Sequence, residues 1–181
     1  MDRPIGIFDS GVGGLSVLKE IRRQLPFESI SYLADSYNCP YGSKTQNDAL
    51  SLASKNIEYL LELNCKLIVI ACNTVTAVAI DNFRSEYKVP FIGMEPALKP
   101  AALKTKTKKI GILATENTLN GRLFKETFEK YANGLDVFVQ PGFGLVELVE
   151  QGAQNSEKAK SLLKEYLLPM VEKGADTIVL G

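Results

Sequence analysis

Two related α/β domains with mainly parallel sheets are the architecture this sequence predicts. Three observations predict it. Short apolar runs of strand length alternate with segments of helix length along the chain. One run, Leu67-Ala71 (LIVIA), is apolar at every position, as strands inside a parallel sheet are. The pattern also occurs twice, because KIGILATENT, beginning at Lys109, echoes PIGIFDSGVG, beginning at Pro4, in position and kind.

In order along the chain, Pro4-Phe8 reads as a buried strand. A glycine-rich turn follows, then a helix from near Gly14 to Gln24, stopped by Pro26. Ser29-Ala34 is the next strand. A polar loop from Asp35 to Lys44 leads into a long helix over about Thr45 to Leu63, whose apolar Leu52, Ile57, Leu60 and Leu61 keep helical spacing. Leu67-Ala71, a further helix and Phe91-Met94 complete the first cycle. The second starts near Ile110, with helices expected at about Leu119-Tyr131 and Glu157-Glu172 and strands at Asp136-Gln140 and Thr177-Leu180. Late in each cycle the echo returns: YLLELNCKLIVIA lines up with LPMVEKGADTIVLG, setting Glu62 over Glu172 and Ile68-Val69 over Ile178-Val179. The domains are therefore drawn as 1–97 and 98–181, joined near Glu95-Lys104. Right-handed crossovers put the strand C-termini, and so the site, on one edge. In this repeat the position matching Cys72 is the one after Gly181, so the second domain is expected to be incomplete at its C-terminus.

Composition removes several classes. At 181 residues, with 45% hydrophobic and 23% charged, the chain can bury a sizeable core. Lys+Arg and Asp+Glu balance at 21 each, without the basic excess of nucleic-acid binders. The run Lys104, Lys106, Lys108, Lys109 is read as a solvated loop. No apolar stretch reaches membrane-spanning length and MDRPIGIF has no leader pattern, so a cytoplasmic protein without a membrane partner is expected. Cys39, Cys65 and Cys72 are odd in number and form no CxxC, which argues against a disulfide framework or a zinc site. Histidine is absent, which excludes a Ser-His or Cys-His pair within these residues. Acid–base chemistry near neutral pH falls to Cys, Asp, Glu, Lys or Tyr.

Five places carry chemistry. In Asp9-Ser10-Gly11-Val12-Gly13-Gly14 a strand ends in a carboxylate and a hydroxyl, and glycines turn the chain into a helix whose N-terminus suits an anion. It is not G-x-G-x-x-G, since Ser16 takes the last place, and no Walker lysine follows. The plain alternative is a tight turn with Asp9 as a cap. In Ala71-Cys72-Asn73-Thr74 a cysteine stands between a strand and a helix N-terminus, a setting expected to lower its pKa and keep the sulfur reachable. Asn73 and Thr74 add donors; the alternative is a buried structural cysteine. Cys65, on the opposite edge, is read as packing. Cys39-Pro40-Tyr41-Gly42 offers backbone N–H groups and an aromatic wall, or a simple turn, with Cys39 a loop residue. Thr115 and Thr118 hold the place of Asp9 and Ser10 in the second cycle, as carboxylate ligands or an N-cap. Glu147 and Glu150 lie three apart on one helix face, either facing a site or simply solvated.

Together these segments resemble the glutamate racemase family. IGIFDSGVGGLSV, PYGSKT, IVIACNTVTA, IGMEPALKPA, ILATENT and LVELVEQG occur in that family's order and spacing, over essentially the whole chain. The resemblance implies two α/β domains with the site in the cleft between them. It implies interconversion of L- and D-glutamate without pyridoxal phosphate, metal or other cofactor, and D-glutamate for peptidoglycan. Carried over residue by residue, Cys72 resembles the thiol that exchanges the α-proton on one face, and Asp9 the carboxylate that assists it. Ser10, Tyr41, Gly42, Asn73 and Thr74 resemble the substrate-binding set, Thr118 a further contact, and Glu150 the acidic residue serving the opposite face. Dimers occur in the family, so a homodimer is among the expectations. The family continues LG-Cys-Thr-His; that second cysteine is absent from these residues, and the chain is therefore expected to be inactive alone.

The chemistry suits the residue types. Two bases on opposite sides of a planar intermediate remove and return the α-proton, and a thiol serves as either base or acid. Donors around the substrate carboxylate must stabilise the developing charge. Two other readings stay open: a non-catalytic glutamate-binding half-site, and a different cofactor-independent isomerase of related fold.

Overall fold

The structure, a computed structural model, describes residues 3–181. Met1 and Asp2, the start of the stretch read for a leader, lie outside the described residues. The chain divides into two compact units, one ending at Met94 and the other spanning Glu95–Gly181, where the sequence had placed the junction after residue 97.

In the first unit the order is β1 (Ile5–Asp9), α1 (Leu15–Gln24), β2 (Ile30–Ala34), α2 (Gln46–Glu62), β3 (Leu67–Ile70), α3 (Asn73–Glu86) and β4 (Phe91–Gly93). The sheet is parallel, in the order β2-β1-β3-β4. Alternation along the strands sorts the core onto two faces. Ile5, Ile7, Val69 and Ala71 pack under Val17, Leu18 and Ile21 of α1. Gly6, Phe8, Ile68 and Ile70 point the other way, where α2 and α3 lie against the sheet and against each other. Those helices follow from ordinary signals. Thr45 caps α2 by accepting from the Asp48 N–H at 3.1 Å, and α2 buries Ala49, Ala53, Ile57 and Leu60 along one stripe.

The second unit comprises α4 (Leu98–Lys104), β5 (Lys109–Ala114), α5 (Glu116–Asn120), α6 (Arg122–Tyr131), β6 (Asp136–Pro141), α7 (Leu145–Glu150), α8 (Glu157–Glu172) and β7 (Thr177–Leu180). Its sheet is also parallel, in the order β6-β5-β7. Leu98, Ala101, Ile110, Ile112, Ala114, Phe124 and Val179 form the core on one face. On the other, Met170 of α8 lies so close to Gly111 that a Cβ there would stand 2.4 Å from its sulfur.

The repeat holds in register. Gly6 pairs Ile68 and Ile7 pairs Val69, as Gly111 pairs Ile178 and Ile112 pairs Val179. It extends to the turns entering β3 and β7. Asn64 (φ 58) and Gly174 (φ 91) are both left-handed, ending α2 and α8. Each is followed by the same pair of bonds, Asn64 N–H to Leu61 O and Cys65 N–H to Leu60 O, then Gly174 N–H to Val171 O and Ala175 N–H to Met170 O.

One expectation is corrected. The helix expected over Leu119-Tyr131 is two helices. Thr115 starts α5 earlier by accepting from the Thr118 N–H, and Gly121 adopts an extended conformation (φ −64, ψ 144) that ends α5 and opens α6. The stretch where the sequence joins the two domains contains α4, whose Leu98 and Ala101 are buried.

Candidate active site

In the first unit the strand C-termini share one edge. The Ala71 N–H donates to Phe8 O at 2.8 Å and the Asp35 N–H to Asp9 O at 3.1 Å. The residues leaving β1, β2 and β3 are thereby tied side by side, and Asp9, Ser10, Asp35 and Cys72 stand on that edge.

Cys72 is the N-cap of α3, with extended backbone (φ −78, ψ 117). Its sulfur accepts from the Val75 N–H at 3.5 Å and shares a hydrogen bond with the Ser10 hydroxyl at 3.2 Å. The side chain is 7% exposed. Burial pushes the thiol pKa up, and the charge of Asp9 pushes it further. The Ser10 hydroxyl and the Val75 and Ser10 backbone oppose the rise without cancelling it. This corrects the expectation of a lowered pKa and a readily reachable sulfur. The helix terminus acts as anticipated, but desolvation and a neighbouring carboxylate outweigh it.

Asp9 is buried, and its Oδ2 accepts from the Gly11 N–H at 2.9 Å. The turn-capping geometry is therefore present, and the same carboxylate acts on Cys72. Gly14 makes this possible: a Cβ there would lie 2.6 Å from the Asp9 Cβ and 3.0 Å from the Tyr32 hydroxyl oxygen. That hydroxyl donates to Gly11 O at 3.2 Å, fixing the turn from outside. Beyond the thiol, Thr74 is buried. The Asn73 Oδ1, also buried, accepts no hydrogen bond among the described residues. A buried amide oxygen without a donor is a position where a ligand N–H or water belongs.

Tyr41 is enclosed rather than exposed as a wall. It is 1% exposed, its ring meets Phe8 edge-on at 6.4 Å between centroids, and its hydroxyl donates to Asp35 Oδ2 at 2.6 Å. Burial, the Asp35 carboxylate and the charge of a Cys72 thiolate all push the phenol pKa up. Gly42 follows, half-buried. The Cys39–Pro40 peptide is cis, and Cys39 is a half-buried loop residue. Cys65 is buried on the opposite edge, against Gly6, as packing.

Sequence reasoning missed Asp35, Asn38 and Asn56. The carboxylate accepts from the Asn38 side chain at 2.9 and 3.0 Å, from the Asn38 N–H at 3.3 Å, and from the Asn56 side chain at 3.2 Å, besides Tyr41. Burial acts to raise its pKa, but the hydrogen bonds from Tyr41, Asn38 and Asn56 together hold it below the usual aspartate range. A signal existed, since Asp35 directly follows β2 while Asp9 ends β1, and D-x-x-N is turn spacing. Asn56, inside a helix, gave none.

The other candidates lie in the second unit. Thr118 is fully buried, and its hydroxyl and that of Thr115 share a hydrogen bond at 2.9 Å, the capping arrangement at the start of α5. On α7, Glu147 is exposed and Glu150 half-buried. Among the described residues no group of three or more Cys, Asp or Glu is placed to hold a metal ion, and no helix is long and apolar enough to cross a membrane.

Known proteins are similar to this chain in sequence and in fold. A glutamate racemase of Herpetosiphon aurantiacus is 46% identical over 180 residues, covering 99% of this chain and 71% of the relative. One from Ralstonia nicotianae is 48% identical over 178 residues, covering 98% of this chain and 64% of the relative. The crystal structure of Escherichia coli glutamate racemase, in complex with L-glutamate and the activator UDP-MurNAc-Ala, matches with a TM-score of 0.88 at 34% identity, over 99% of this chain and 69% of that one. The Francisella tularensis enzyme in complex with D-glutamate matches with a TM-score of 0.81 at 30% identity, over 97% and 66%. This chain spans about two thirds of the length of these relatives. By these similarities the parallel α/β units are those of an amino-acid racemase, an isomerase. The chain belongs to the Asp/Glu/hydantoin racemase family, whose profile matches residues 5–181.

Proposed function

We propose that the substrate is glutamate and that the reaction is interconversion of its L and D forms by proton transfer at the α-carbon. The observation that carries the reading is the Cys72 sulfur, hydrogen-bonded to Ser10 and flanked by Asp9 on the strand-end edge. Its support is the identity of 46–48% to curated glutamate racemases.

In this reading Cys72 exchanges the α-proton on one face and Asp9 assists it. The raised pKa makes the thiolate, once formed, a stronger base than an ordinary cysteine. A substrate ammonium beside the sulfur stabilises that thiolate. Ser10, Asn73 and Thr74 bind the amino-acid head, with the unpartnered Asn73 Oδ1 accepting from the ammonium. The backbone of Tyr41 and Gly42 contributes the remaining contacts. Thr118 as a substrate contact and Glu150 as the acidic residue for the other face rest on the family resemblance. So do supply of D-glutamate for peptidoglycan, work in the cytoplasm, and a homodimer.

These 181 residues hold no cysteine after Cys72. A polypeptide of these residues alone is therefore expected to exchange the α-proton of one enantiomer without racemising it. The test is proton NMR of each enantiomer in deuterated water. Loss of the α-proton signal from one enantiomer, abolished by Cys72→Ala, supports the assignment. Exchange that survives Cys72→Ala, or exchange of neither enantiomer, refutes it. Racemisation by these residues refutes the one-thiol expectation. Binding of glutamate with no exchange favours the binding half-site instead.

A further inference from the structure

The first unit contains a side-chain cluster of which the assigned roles use only the backbone of Tyr41. Asp35 sits just past β2, with its backbone N–H on the Asp9 carbonyl and its carboxylate joining three pieces of chain. Asn38 comes from its own loop, Asn56 from α2, and Tyr41 from the far end of the loop. Asn56 is itself fixed by its bond to Leu52 O at 2.8 Å and reaches the Tyr41 hydroxyl at 3.4 Å. Tyr41 is clamped from both ends, its ring on Phe8 and its hydroxyl on the carboxylate. A phenol so committed has no hydroxyl left to donate to a ligand, so what it presents is the position of its backbone and that of Gly42. The carboxylate sets that position from a distance.

We propose that Asp35 is a positioning residue for the thiol site: by holding the Tyr41 hydroxyl, together with Asn56, it fixes the Tyr41–Gly42 backbone in its binding position beside Cys72. This rests on the reading that the site takes glutamate. Asp35 does not touch the reacting atoms. An ionised carboxylate accepting from a phenol is a strong, directional hydrogen bond.

The experiment compares the wild-type chain with Asp35→Asn, Tyr41→Phe and the double variant. Tyr41→Phe removes one oxygen and keeps the ring on Phe8, so it reports even if Asp35→Asn folds poorly. Glutamate dissociation constants come from calorimetry, and amide NMR follows Gly42 and Asn73. Each single variant is expected to weaken binding by roughly tenfold, and the double variant by no more than the more damaging single, because both act through the Asp35–Tyr41 hydrogen bond. The Gly42 amide should lose its response to glutamate while the Asn73 amide keeps its own. A general loss of structure would instead move both amides together, and that outcome overturns the positioning role. Unchanged dissociation constants in both single variants overturn it too, while leaving the glutamate reading intact. A wild-type chain that binds no glutamate removes both.

Discussion

The hydroxyl of Ser10 and the sulfur of Cys72 stand 3.2 Å apart, across two neighbouring strands and sixty-two positions of sequence. That bond opposes the burial that pushes the Cys72 pKa up. Ser10→Ala should therefore raise the thiol pKa further. The rate of alkylation by iodoacetamide, followed against pH, should show its midpoint displaced upward. A midpoint unmoved or lowered would mean that the hydroxyl does not stabilise the thiolate.

Cys72 has two functions that separate by substitution. Cys72→Ala removes both the base and the acceptor that caps α3, so it should abolish α-proton exchange and cost stability of about 1 kcal/mol. Cys72→Ser should also lose exchange but retain most of that stability, because a hydroxyl caps well. Urea unfolding of the two variants checks this, and equal stabilities would deny the cap.

Gly14→Ala puts a carbon 2.6 Å from the Asp9 Cβ, a contact with a short side chain that cannot swing aside. The expected cost is about 1–3 kcal/mol, as for other overpacked sites. Glutamate affinity should fall with it, because Asp9 and the turn above it must move. An alanine variant as stable as wild type would show that the turn has slack.

Asp35 makes a prediction about acid. Its pKa is lower in the folded state than in an unfolded chain, so it contributes stability that is present above the unfolded value and lost as pH falls through the folded one. Asp35→Asn should flatten the acid limb of the stability profile in that window. A variant whose stability falls with acid as steeply as wild type would assign the limb to other carboxylates.

Much of this was legible in the residues, for identifiable reasons. The paired runs around Ile68-Val69 and Ile178-Val179 announced a repeat that the strand register reproduces position for position, since hydrophobic patterning dictates which strands enter a core. The Cys72 neighbourhood was legible because strand-end cysteines before helices are locally encoded. The sign of its pKa shift was not, because desolvation depends on what covers the sulfur from elsewhere in the chain. Asp35, Asn38, Tyr41 and Asn56 span twenty-one positions and meet only after β2 and α2 have packed. The break at Gly121 escaped because a glycine within a helical pattern is tolerated as often as it interrupts.

The sulfur assigned to proton transfer is also the acceptor for the first turn of α3, through the Val75 N–H. A thiolate accepts more strongly than a thiol, so ionisation tightens that turn and alkylation loosens it. The solvent-exchange rate of a single backbone amide thereby becomes a clock for the charge on Cys72, readable with no substrate present.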